Sequence, residues 1–195
     1  MGFVCYKPAL AFSIEAMNEA MPEDAAIRGM MFASINIALK QHGHEALSSK
    51  ERVSFKFYPR RLFLEEVVQA ASIISPDDLA QGLRLLGRPV YRTFRDTLIG
   101  RTLQAVADFN TYSITKQMPA GFRAGNRYGQ ATIHERRVGF LHLEFKDVWN
   151  YLHYSVGFLE GIALDNGETP RMTYVNFHRP GWFELKFEYD EKTSE

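Results

Sequence analysis

The chain has a single cysteine in 195 residues, Cys5, so it holds no internal disulfide and no cysteine-rich zinc site. That usage suits a reducing compartment. Nowhere do eighteen apolar residues run together, which points away from a membrane-spanning helix. The opening stretch MGFVCYKPALAFSIEAMNEAM lacks the basic n-region and long apolar h-region of a secretory signal, and Tyr6 stands where a myristoylation motif wants serine or threonine. The expectation is a cytoplasmic protein. Local signatures of catalysis are missing too: there is no G-x-S-x-G elbow, no Walker loop, no G-x-G-x-x-G and no outstanding carboxylate pair. No catalytic residue is assigned.

Charge is balanced but uneven. Twenty-three basic and twenty-three acidic residues cancel, while Lys50 to Arg137 carries fifteen Lys/Arg against eight Asp/Glu. In this basic middle Arg84, Arg88, Arg92 and Arg95 recur at helical spacing. With Arg123 and Arg127 they form a candidate anion- or nucleotide-binding set, because guanidinium groups grip phosphates and carboxylates in bidentate geometry. The competing reading is ion pairing. RLLGR has the R-x-x-x-R spacing of PilZ domains, but the partner D/N-x-S-x-x-G is missing and Pro89 interrupts the helix. A neutral chain without a nucleic-acid motif points away from DNA and RNA.

What is present is helix first and strand later. Leu10, Ile14, Met17 and Met21 recur at helical spacing, and RGMMFASINIAL is a second helix or a buried strand. From Pro59, Leu62, Phe63, Val67, Ala70, Ala71 and Ile74 line one side of a helix. Ser75 as N-cap, with Pro76, Asp77 and Asp78 behind it, predicts a fresh helix running to Gly87, and Pro89 starts another. After Phe109 the period changes. QATIHERR and GFLHLEF predict a hairpin meeting at Arg137 to Gly139, and RMTYVNF and WFELKFEY a second around a Pro-Gly turn. The reading is one α+β domain over residues 1–195: N-terminal helices, about 8–109, packed on an antiparallel sheet made of two hairpins with a helix between them, about 129–190.

That intervening helix raises a problem. SVGFLEGIALDNG holds Gly157 and Gly161 in an apolar run, at a cost of about 0.5–1 kcal/mol each relative to alanine. With Asp147 as its cap, Val148, Leu152, Ser155, Leu159 and Ile162 share the side suited to covering the sheet. Asn150, Tyr154, Gly157 and Gly161 fall on the other, a candidate ligand or packing face that admits another backbone at close range. A sandwiched helix is predicted.

LGRPVYRTFRDTLIGRTL, FRAGNRYG and YSVGFLEGIALDNG resemble the uncharacterised myxobacterial paralogous family of small proteins, over about Arg28 to Tyr189. The late block, with GFLEG in the helix and PGWFEL between the strands, is similar to the 4-vinyl reductase domain. Through it the chain is distantly similar to the superfamily of TRAPP-complex subunits and haem-based nitric-oxide sensors. The resemblance implies an α+β ligand-binding or dimerising module. Cysteines that 4-vinyl reductase domains often carry around the final strands are absent, which argues against metal or cofactor binding there.

Six histidines invite a metal or a haem. His42 and His44 form an HxH pair without a third ligand nearby, and zinc takes three or four. His153 is the best-placed haem ligand, yet Trp149 and Glu160 beside it on the wheel mark a half-exposed polar edge. No metal and no cofactor are expected. The function expected is a non-enzymatic regulatory or signalling module that binds a partner protein, its own copy as a homodimer, or a small apolar ligand. An enzyme of unknown reaction on the same fold is the alternative.

Overall fold

Alternation along the late strands builds one apolar sheet face. In β7 (Trp182–Asp190) Phe183, Leu185, Phe187 and Tyr189 are buried, and Glu184, Lys186 and Glu188 lie between them on the opposite face. β5 (Phe140–Lys146) pairs antiparallel with β7, setting Leu143 opposite Leu185 and Phe145 opposite Phe183. This pairing joins the two predicted hairpins, β4 (Gln130–Arg137) with β5 and β6 (Thr169–Arg179) with β7, into one sheet. Gly139 and Gly181 turn them at φ 76° and 80°. At the edge β1 (Phe3–Lys7), a strand not predicted from the sequence, runs parallel to β6 and completes the order β1-β6-β7-β5-β4. The computed structural model describes residues 14–47, 52–97, 100–102, 110–192 and the backbone of 3–7.

Before the sheet come α1 (Ile14–Ala20), α2 (Met30–Gln41), α3 (Arg60–Ile74), α4 (Leu79–Gly87) and α5 (Val90–Arg95), then the short α6 (Thr111–Thr115) and α7 (Met118–Gly125). From Met30 onward RGMMFASINIAL is therefore helix. A ribbon of β2 (Ala26–Arg28) and β3 (Phe57–Pro59) ties α2 to the start of α3. Two caps differ from their sequence signals. Ser75 closes α3, and its carbonyl accepts Asp78 N–H in a turn, so the cap passes to Asp78, whose carboxylate accepts Gln81 N–H at 2.9 Å. Asp147 caps nothing: it sits at φ 54° in a turn, and α8 (Leu152–Asp165) begins five residues later. Among the described residues no helix is long and apolar enough to cross a membrane.

α8 lies between two cores. Tyr154 belongs to a helical core around Phe32, Leu39, Phe63 and Leu83. Leu152, Val156, Leu159 and Ile162 belong to a sheet core with Leu143, Phe183, Leu185 and Phe187. On the helical side α4 approaches backbone to backbone. A methyl group at Gly157 would overlap the Arg84 carbonyl oxygen, one at Gly161 that of Arg88, and one at Gly87 that of Tyr154. Each obstacle is main chain, which cannot swing aside.

The close crossing also brings charges together. Glu160, only 1% exposed, lies between the two glycines in sequence. One of its carboxylate oxygens accepts Arg84 Nε–H at 2.8 Å, and the other accepts Arg88 Nε–H and Nη2–H at 3.1 and 3.0 Å. Arg84 Nη2 also donates to Glu160.

Candidate ligand-binding cavity

The two cores do not close completely where α8 begins. A cavity of about 120 Å³ lies between α5, α7, α8 and the sheet, walled by Phe63, Tyr91, Phe94, Phe122, Phe145 and Phe158. No aspartate or glutamate is among the described residues that line it.

Arg60, Tyr154 and Asn150 are three of its polar side chains. Arg60 opens α3 and is 5% exposed. Its Nε–H donates to the Trp149 carbonyl at 2.6 Å and its Nη1–H to Asn126 Oδ1 at 2.5 Å. These bonds pin the loop before α8 and the end of α7 onto α3. Burial lowers the Arg60 pKa to about 10, against a raising influence from Tyr154, and leaves the guanidinium charged at neutral pH. Tyr154 places its hydroxyl 3.3 Å from Ser34 Oγ, and burial pushes it up to about 12, so it is a neutral phenol. Asn150, in the loop, contacts Ser155 Oγ at 3.4 Å through its Nδ2, while its buried Oδ1 has no hydrogen-bond partner among the described residues.

Of the glycine-side set, Asn150 and Tyr154 line this cavity, whereas Gly157 and Gly161 face α4. The six arginines are divided. Arg84 and Arg88 hold Glu160, Arg92 pairs with Asp165, and Arg95 lines the cavity with its Nε 3.5 Å from Asp96. Arg123 and Arg127 are exposed, the latter 5.2 Å from the Phe57 ring centroid. Arg60 had no place in the sequence reading. Its one signal is a helix start, RRLF, with two cations and no acid, where the dipole favours the opposite charge.

His153 is a correction. Instead of a half-exposed edge it occupies a buried site, 9% exposed, and desolvation lowers its pKa to about 4. His134, His142 and His178 lie on the outer sheet face, where Glu144 faces His134 at 3.1 Å and Glu184 faces His142 and His178 at 2.9 and 2.8 Å. Among the described residues no three metal-binding side chains cluster around one point.

Residues 20–178 match the model of a family described as protein of unknown function (DUF2378). The chain belongs to the DUF2378 family. No curated protein matches it in sequence. The fold of this DUF2378 protein is that of solved H-NOX proteins. One from S. oneidensis in the Fe(II) ligation state has a TM-score of 0.62 at 12% identity, covering 86% of this chain and 100% of that one. Another, the Fe(II) unliganded H-NOX protein from K. algicida, gives 0.60 at 10% identity over 86% of this chain and 99% of its own. An oxygen-binding H-NOX domain related to soluble guanylate cyclases gives 0.55 at 12% identity, over 86% and 97%.

The haem implied by these neighbours does not fit the residues found here. A haem iron takes an axial histidine, thiolate, methionine or tyrosinate. Among the described residues neither histidine nor cysteine lines the cavity; Met31 and Met118 do, but methionine holds haem iron beside a histidine, and none is there to join them. Tyr154, the buried tyrosine, is held neutral. At about 120 Å³ the space is comparable with the engineered 150 Å³ cavity that accepts benzene and far too small for a porphyrin.

Proposed function

We propose that this DUF2378 protein is a non-enzymatic sensory module that holds a small apolar ligand between its two cores and reports occupancy to a partner protein or a second copy. One observation carries the reading: the cavity is walled by residues of both cores, Phe63 from the helical one and Phe145 from the sheet, with α8 shared between them. An occupant touches both halves and so favours one packing of them over another, which is what a ligand needs to shift a conformational equilibrium. The resemblance to ligand-binding H-NOX proteins supports the same class of function without its haem. Surface anion binding by the arginine set is the weaker reading, because Arg84 and Arg88 are engaged by a buried carboxylate.

Native mass spectrometry of the purified chain reads a retained ligand and the oligomeric state in one spectrum. Titration with benzyl alcohol tests the cavity itself: at a hundredfold excess over Kd a one-site ligand adds about 2.7 kcal/mol of stability, visible as a raised melting temperature. Gly121→Leu should abolish that rise, since Gly121 lines the cavity and a side chain there enters it beside the Phe94 ring, 3.4 Å from the first added carbon. An undiminished rise in a folded Gly121→Leu protein would place binding elsewhere and overturn the reading.

A further inference from the structure

The cavity holds buried positive charge with no counter-charge. Arg60 makes its two hydrogen bonds to neutral oxygens, a backbone carbonyl and an amide, and takes part in no ion pair among the described residues. Glu160 shows the contrast, a buried charge met by two opposite ones. Arg60 also stands at the first position of a 15-residue helix, whose dipole adds positive potential at that end, and Arg61 follows it. Arg95, the second guanidinium of the lining, is answered by Asp96 at 3.5 Å, which leaves Arg60 as the unanswered one. An unpaired buried charge is costly, and a ligand that supplies the missing sign removes the cost.

Resting on the reading above, we propose that the ligand is a small monocarboxylic acid, its carboxylate paired with Arg60 and its apolar body against Phe63, Phe122, Phe145 and Phe158. Size fixes the side on which the body lies. A second cleft at Arg60, bordered by Trp149 and Tyr128, measures about 10 Å³ and holds no more than a water molecule. The 120 Å³ space suits one aromatic ring or a short alkyl chain.

Calorimetric titration of the full chain with benzoate and with hexanoate, each beside its matching alcohol, tests this and separates the aromatic from the aliphatic source. At least one acid should bind about tenfold or more tighter than its alcohol, the range of a charge-assisted hydrogen bond. Arg60→Gln should erase that preference, while Arg95→Gln should keep it. Equal affinity of acid and alcohol for the wild type, or a preference that survives Arg60→Gln or disappears with Arg95→Gln, overturns the assignment and leaves the ligand cavity standing. Binding of neither acid nor alcohol removes the cavity reading and the proposal with it. Should Arg60→Gln not fold, the wild-type order of benzoate, benzyl alcohol and benzylamine decides: the anion must bind tightest and the cation weakest, and any other order refutes the pairing.

Discussion

The two sides of α8 are buried by opposite means. Towards the sheet, Leu152, Val156, Leu159 and Ile162 fill space with branched side chains against Leu143, Leu185 and Phe187, and many combinations of similar volume pack such a surface. Towards α4, Gly157 and Gly161 take side chains away, so that main chain meets main chain, and the charge of Glu160 is buried between Arg84 and Arg88. Side chains can repack and backbones cannot. The first interface should be forgiving and the second close to intolerant, and three measurements bear on that difference.

The largest effect is expected from Arg84→Glu combined with Arg88→Glu. It surrounds a 1%-exposed carboxylate with two more instead of two guanidinium groups. Removing one partner of a buried pair already costs about 3–5 kcal/mol, so the double reversal should cost an amount comparable with the whole stability of an ordinary domain, about 5–15 kcal/mol. Circular dichroism should show an unfolded chain. A folded double mutant would mean that the α4 side is solvated and the contrast false.

Next comes the pair Gly157→Leu and Leu159→Met, which add or reshape a side chain on opposite sides of one helix. Gly157→Leu should cost above about 3 kcal/mol, more than ordinary overpacking because the obstacle is the Arg84 carbonyl. Helix propensity alone predicts the reverse sign, a gain approaching about 1 kcal/mol. Leu159→Met should stay below about 1.5 kcal/mol. Urea midpoints of the two variants decide the order, and a loss independent of protein concentration places the contact within one chain. Similar midpoints would erase the distinction.

The smallest effect sharpens the α4 side through pH. Desolvation holds the folded-state pKa of His153 at about 4, with Asp78 raising it and Arg84 lowering it, whereas the unfolded chain takes up the proton near 6.5. The unfolded state therefore binds more protons between those values. Stability is fully present above about pH 6.5 and is lost as pH falls towards 4, by up to about 3 kcal/mol. His153→Leu should flatten the melting temperature over that window relative to wild type. Parallel curves for the two proteins would show that His153 is hydrated in the fold. On the outer sheet face burial raises the Glu184 carboxyl, but hydrogen bonds from His178 and His142 outweigh it and hold it below its usual value. That contribution is lost only at lower pH, as the carboxyl protonates, and does not overlap most of the His153 window.

Periodicity and turn chemistry made the late hairpins, the long helix α3 and the need for a close backbone at Gly157 and Gly161 legible from residues alone. Those signals are local: an alternating run or a helical stripe reports which side of an element is apolar. β1 escaped because a parallel edge strand borrows its pairing from β6, some 170 residues away, and needs little pattern of its own. The partner of the glycines, the fate of the arginines and the value of Arg60 were set by tertiary structure. Only when α4 crosses α8 does Glu160 meet Arg84 and Arg88. Only when α3, α7 and the loop before α8 converge does an arginine that reads as the solvated start of a helix become a buried cation facing an apolar cavity. Sequence determines what each segment can bury. Which charges are desolvated, and against what, depends on segments distant in the chain being brought within a few ångströms, because desolvation and Coulomb energy act through space.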